Sequence, residues 1–160
     1  MFLPRALPGL VVGLALVFFT IRYAYDLYQS PYVLVAAYGV LFLPIALIAV
    51  EPAVAHLTPS LEEASRTLGA GPVATLRRVG LPLLAPGLGA AAALVFLASV
   101  TELTATLLLR PTGTETLATQ FWLYADGLAY GAAAPFAAVM VAICVVPTVV
   151  LARRFPGAAR

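Results

Sequence analysis

The sequence predicts an all-α fold that crosses a membrane several times, and three observations carry that expectation. The 160-residue chain is 62% hydrophobic and only 10% charged, with a mean hydropathy of +1.01. A soluble domain carries roughly 25% charged residues, so this chain lacks the polar surface to cover itself in water. Its apolar runs are continuous and close to the ~20 residues a helix needs to cross a ~30 Å hydrocarbon core, whereas barrel strands alternate and are about half as long. Arginines and aromatic residues gather at the ends of these runs, where headgroups and water begin.

Four spans are expected, at about residues 7–23, 32–50, 83–109 and 131–152. The first is short, and it reaches a full crossing only if it extends through Tyr28. Its opening, "MFLPRALPGLVVGLALVFF", resembles a signal peptide in having one arginine before an apolar stretch. The residues after it lead into another apolar span and not into a soluble domain, so the segment is read as retained. Pro44 lies inside the second span, and Pro135 and Pro147 inside the fourth. The lone Cys144 excludes an intrachain disulfide framework and a multi-cysteine metal site; it reads as a small apolar helix residue.

Loop charge sets the orientation. With the polar segment 58–82 on the cytoplasmic side, Arg5, Arg66, Arg77, Arg78, Arg153, Arg154 and Arg160 fall inside, and Arg22 and Arg110 outside. This is the bias expected of cytoplasmic loops, and it makes both termini cytoplasmic. Tyr23, Tyr25, Tyr28 and Tyr32 then mark one outer boundary, and Trp122, Tyr124 and Tyr130 another, at the level amphipathic rings favour. His56, with Glu51 five residues before it, reads as a solvated loop residue.

The polar segment centres on "LEEASRTLGAGPVATLRRVGLP". Ser60 and Glu63 have the spacing of a capping box, in which each side chain bonds the other's amide; Thr58 before Pro59 offers an alternative start with proline in the first turn. The helix should stop near Gly69, which tolerates a left-handed backbone. Gly71-Pro72 restarts the chain, residues 73–79 form a second short helix, and Leu81-Pro82 marks the return into the membrane. A connector needs only a few residues, so two short helices around a glycine elbow read as a docking element.

Glu63-Ala64-Ser65, three residues, Gly69, nine residues, then Val79-Gly80-Leu81-Pro82 resembles the EAA loop of bacterial ABC-importer permeases. The family pattern is E-A-A, three residues, G, nine residues, I-x-L-P; Ser65 replaces the second alanine and Val79 the isoleucine. The resemblance implies a pair of coupling helices seated on a cytoplasmic ABC ATPase dimer. Glu63, Ala64 and Gly69 are the motif residues, Ser65 permits close approach, Arg66 makes polar contacts at the rim, and Leu81 and Pro82 close the motif. It also implies an extracytoplasmic solute-binding protein, a second permease half or homologous copy, the bilayer of the bacterial inner membrane, and no nucleic acid.

The stretch "TELTATLLLRPTGTETLAT", residues 101–119, is similar to the ferric-iron branch of that superfamily, where K-E-L-P-A-T-L-L-L-R-P is typical. Thr101 stands for the lysine and Thr104 for the proline. Permeases for sulfate, molybdate, phosphonate and thiamine share the glutamate and much of the framework, so the substrate stays open among them. Residues 116–124 form either a short outer helix that meets the binding protein or an interfacial anchor.

Glu102 lies within the third expected span, about 10 Å below its outer end at 1.5 Å per residue. Carboxylates inside a membrane are costly and face a protein interior or a wet cavity. On an unbroken helix Ser99, Glu102 and Thr106 share one face. That stripe either lines a translocation path or makes Glu102 a hydrogen-bonded strut. One carboxylate and two hydroxyls are a poor ferric site, so no metal ligands are assigned. The small residues of "PGLGAAAA", 86–93, suit close helix packing.

A chain without lysine has no phosphate-binding G-x-x-x-x-G-K-[ST] loop, and no nucleophile–base constellation is visible. ATP and Mg²⁺ therefore belong to the partner ATPase, and this chain has no cofactor of its own and is no enzyme. Four spans are fewer than the five or six per half that the resemblance implies, which points to the C-terminal part of a longer permease, a truncated product or a misplaced start. The alternative to a transport role is a non-transporting membrane subunit that binds an ATPase or a partner permease.

Overall fold

The computed structural model of the chain describes residues 9–154. Within them the fold is all-α, with no strand, in line with the class expected from the sequence. The helices are α1 (Gly9–Tyr23), α2 (Pro31–Ala55), α3 (Pro59–Thr67), α4 (Pro72–Thr75), α5 (Leu81–Thr101), α6 (Thr104–Leu109), α7 (Leu117–Asp126) and α8 (Tyr130–Arg154). A 3₁₀ turn covers Tyr25–Leu27, and a π turn covers Leu76–Gly80. Residues 7 and 8 of the first expected span, with Arg5 and Arg160 of the orientation argument, lie outside the described residues.

Among the described residues, three helical stretches are long and apolar enough to cross a membrane: Pro31–Ala55, Pro72–Thr101 and Tyr130–Arg153. Helix α1 has 15 residues, about 22 Å at 1.5 Å per residue. These helices expose large apolar side chains that a water-soluble protein would bury. Val35, Leu47, Val141 and Val146 are among them, as suits surfaces solvated by lipid tails.

The chain divides into two compact units, Met1–Pro44 with Phe96–Arg160, and Ile45–Val95. In the first, α1 packs on α6 and α7 on α8. Its core is Val33, Ala37 and Leu109, with Leu16, Val17, Leu34 and Leu108 against them. The Tyr124 and Phe136 rings stack at 5.6 Å between α7 and α8. In the second unit the last turns of α2 meet the start of α5 at Gly87: a Cβ there would lie 2.6 Å from the Ala53 Cβ. The backbones approach because neither residue is large, which is how membrane helices pack without a hydrophobic driving force.

Three local expectations change. The third span, placed at 83–109, is not one helix: α5 ends at Thr101 and α6 starts at Thr104. Residues 73–79, expected as a second short helix, are helical but not separate from the span that follows Leu81-Pro82. Instead α4, the π turn and α5 run on continuously from Pro72 to Thr101. Proline lacks an N–H and its ring presses on the carbonyl four residues back. The π turn just before Pro82, closed by the Leu81 amide on the Leu76 carbonyl, widens the spiral at that place, so the helix passes the proline without stopping. Finally, α3 starts from Thr58 with Pro59 in the first turn and no side-chain cap bond. This is the alternative start, not the Ser60–Glu63 box; the Ser60 hydroxyl pairs with that of Thr58 at 2.9 Å.

Candidate functional sites: a glycine-elbow hairpin and a polar helix break

The hairpin of α3 and α4 belongs to the second unit. Its elbow is built by backbone bonds: the Gly69 amide donates to the Arg66 carbonyl at 2.9 Å, and the Ala70 amide to Ser65 at 3.1 Å. This pair of bonds is the Schellman end of a helix. It needs a left-handed residue after the cap, which Gly69 supplies at φ +78°. Nothing lies within 4 Å of the position a Gly69 Cβ would take, so glycine is required here by backbone conformation and not by space. Gly71 is extended, and Pro72 opens α4.

Around this elbow the motif residues separate into two groups. Glu63, Ala64 and Arg66 are exposed on α3, while Leu68 at 87% and Val73 at 76% are the most exposed large apolar residues of the hairpin. Arg77 and Arg78, with Val73 and Ala74, line an open concavity of about 580 Å³. Ser65 instead is buried, at 9% exposure, with its hydroxyl 2.7 Å from that of Thr75. Ser65 therefore faces α4. The sequence does not single out Thr75, since nothing in a ten-residue separation across a turn marks the pair. Leu81 is exposed, and Leu81 and Pro82 continue the helix.

The second site is the break between α5 and α6 in the first unit. A helix that stops within an apolar run leaves amides and carbonyls without partners, and here side chains supply them. Glu102 accepts the Ala105 amide on Oε1 at 2.9 Å, which places its carboxylate on the positive end of the short α6. Thr106, fully buried, donates to the Glu102 carbonyl at 2.9 Å and pairs with the Tyr38 hydroxyl at 2.6 Å. The Glu102 amide returns to the Ser99 carbonyl at 3.3 Å. Thr101 folds its hydroxyl back on the Leu97 and Ala98 carbonyls. A Cβ on Gly9 would sit 3.1 Å from Glu102 Oε1, so the start of α1 closes over the carboxylate.

Of the three residues expected on one helical stripe, Glu102 and Thr106 are therefore joined through the break, and Ser99 lies on the helix before it. Tyr38 is the partner that sequence reasoning missed. Its signal was a tyrosine in the middle of a span and not at a boundary. Among the described residues no group of three or more His, Cys, Asp or Glu side chains comes together.

At the end of the first unit that carries residues 24–30 and 110–116, polar side chains knit two loops. Thr112 donates to Gln29 at 2.8 Å, Arg110 pairs with Glu115 and also donates to the Thr114 carbonyl at 3.0 Å. Thr116 and Thr119 cap α7 reciprocally.

Comparison with known proteins adds an independent line. The family model described as "Binding-protein-dependent transport system inner membrane component" matches residues 1–157. The chain is 40% identical over 150 residues to the Fe(3+)-transport system permease protein FbpB 2 of Haemophilus influenzae, covering 94% of this chain and 30% of that protein. It is 31% identical over 134 residues to the putative 2-aminoethylphosphonate transport system permease protein PhnV of Salmonella typhimurium, covering 82% and 51%. It is 34% identical over 110 residues to the sulfate transport system permease protein CysT of the same species, covering 62% and 40%. The chain thus spans about half or less of the length of each of these relatives.

Proposed function

Since the chain belongs to the family of binding-protein-dependent transport system inner membrane components, we propose that it is the membrane-spanning part of an ATP-driven importer, coupled to a separate ATPase through the hairpin at 58–82, with ferric iron as its substrate. The observation that carries the coupling role is the elbow. Gly69, the glycine of the motif, is left-handed and turns the short α3 back on the long helix that begins at Pro72, with Glu63, Ala64 and Arg66 on the exposed side. The ferric substrate is favoured by identity: 40% over 94% of the chain for the Fe(3+) permease, against 31% and 34% over shorter stretches for the phosphonate and sulfate permeases.

In this reading a binding protein delivers substrate to the side bearing residues 24–30 and 110–116, and the termini lie on the cytoplasmic side. ATP and Mg²⁺ act in the ATPase dimer. Its closure shifts the hairpin, and the unbroken helix from Pro72 onward carries that displacement into the membrane. A second permease half or copy completes the pathway. Glu102 and Thr106 hold the broken helix beside that pathway.

Radiolabelled ferric-iron uptake in cells deleted for the gene that contains this segment, and then complemented, tests the substrate. Loss and recovery of uptake is the expected result. Unchanged iron uptake rejects iron and directs the same assay to 2-aminoethylphosphonate and sulfate, the chemistries of the other relatives; Thr101 and Thr104, where the chain departs from the iron-branch pattern, are then the first residues to exchange.

A further inference from the structure

We infer that Ser65 and Thr75 form a clasp that keeps the hairpin elbow closed throughout transport, so that α3, α4 and the base of α5 move as one body. The inference rests on the proposal that the hairpin is the ATPase-docking element. The Ser65 Oγ and Thr75 Oγ1 atoms are 2.7 Å apart, and Thr75 Oγ1 donates to the Gly71 carbonyl at 3.1 Å. A hydroxyl has one hydrogen to give. With that of Thr75 committed to Gly71, Ser65 is the donor across the elbow, and a chain of two bonds runs from α3 through Thr75 to the residue before α4.

The placement of these groups indicates a mechanical role. Ser65 is the position the family pattern gives to alanine, and here its side chain points away from any partner seated on the exposed residues Glu63, Ala64 and Arg66. Between α3 and α4 the backbone passes through Leu68 to Gly71, including the left-handed Gly69. Such a linker could flex and absorb a displacement of α3. Thr75 is the last residue of α4, and the helix continues from it through the π turn into α5. A bond from Ser65 to Thr75 bypasses the linker and delivers a pull on α3 directly to the helix that enters the membrane.

The experiment uses the assembled transporter in cells carrying the complete gene. It measures radiolabelled ferric-iron uptake, ATP hydrolysis by the purified complex, and the amount of ATPase that co-purifies. In a Cys144→Ala background, S65C/T75C places two thiols where oxygens now stand 2.7 Å apart, a separation that a disulfide closes with a small shift. A closed elbow predicts that the oxidised form, its clasp made covalent, hydrolyses ATP and transports within about twofold of the parent and at least as fast as the reduced form, whose thiols are weak donors. Thr75→Val, which removes the hydroxyl, should lower uptake by about three- to tenfold, as loss of one net hydrogen bond implies. Thr75→Ser should leave uptake at the parental level, and ATPase should co-purify in all of these variants.

An oxidised pair that stops hydrolysis and uptake until a reductant restores them would overturn the inference, because the elbow would then have to open. Thr75→Val transporting like the parent would overturn it too. The docking premise is tested separately by Leu68→Asp. If ATPase co-purifies undiminished with that variant, the docking reading fails and the clasp falls with it. If ATPase is lost, docking stands and the clasp variants alone decide.

Discussion

The chain interrupts its helices at Gly69 and at Glu102, and a comparison of the two places shows how surroundings choose the remedy. At Gly69 the backbone repairs itself: two amides return to carbonyls of α3, and the requirement is a residue that accepts φ +78°. At Glu102 the break falls within a long apolar stretch, where water is not at hand to satisfy stray donors. There a carboxylate takes the Ala105 amide, and Thr106 takes the Glu102 carbonyl. One interruption is thus specified by a backbone preference and the other by side-chain chemistry, so they should fail under different substitutions.

The largest effect is expected where an uncompensated donor is left in the apolar region. Glu102→Leu removes the acceptor of the Ala105 amide and should destabilise the protein by about 1–3 kcal/mol, read as a shift in unfolding in detergent micelles. Glu102→Gln keeps an oxygen for that amide and should unfold within about 0.5 kcal/mol of the parent. This pair separates the two roles the sequence left open for Glu102. If Glu102→Gln folds normally and transports normally, the residue is a strut. If it folds normally and uptake collapses, the charge itself acts on the path.

At the elbow the cost is confined to backbone strain. Gly69→Ala puts a Cβ on a left-handed residue, at about 1–2 kcal/mol, in open space. Gly69→Arg adds bulk and charge on the face proposed to dock. Both variants should insert into membranes normally, and uptake should fall more for arginine than for alanine. Normal ATPase association together with normal uptake in Gly69→Arg would defeat the coupling assignment, since strain alone cannot then matter to the hairpin's task.

The same contrast explains what was legible in advance. Helices were legible because long apolar runs leave no alternative fold, and the elbow because glycine followed by Gly-Pro marks a stop and a restart whatever the tertiary context. The break at Glu102 was hidden. No glycine or proline flags it, and apolar residues continue through Leu109, so periodicity alone carried the helix across. The helix expected at 73–79 runs on past Pro82, because a π turn can absorb a proline and no sequence pattern announces one. The hydroxyl partnerships, Ser65 with Thr75 and Tyr38 with Thr106, depend on tertiary placement. The second joins residues 68 positions apart.

The Tyr38–Thr106 bond gives the finest test of the side-chain remedy. Tyr38→Phe keeps the ring, which packs against Phe42 with centroids 5.4 Å apart, and removes only the hydroxyl. Thr106 can still donate to the Glu102 carbonyl, so no buried donor is orphaned and the loss should be small, about 0.5–1 kcal/mol. Thr106→Val removes both bonds and leaves the Glu102 carbonyl and the Tyr38 hydroxyl short of a partner, so it should cost more. In the double variant the shared bond is lost once, and the two effects should fall short of additivity by about 0.5–1.5 kcal/mol. Strict additivity, measured by the same micelle unfolding, would mean that Tyr38 and Thr106 are independent. The break would then be held by Glu102 and by local threonine bonds alone, and its contrast with the elbow, whose stray amides the backbone itself satisfies, would narrow to bonds between near neighbours in the chain.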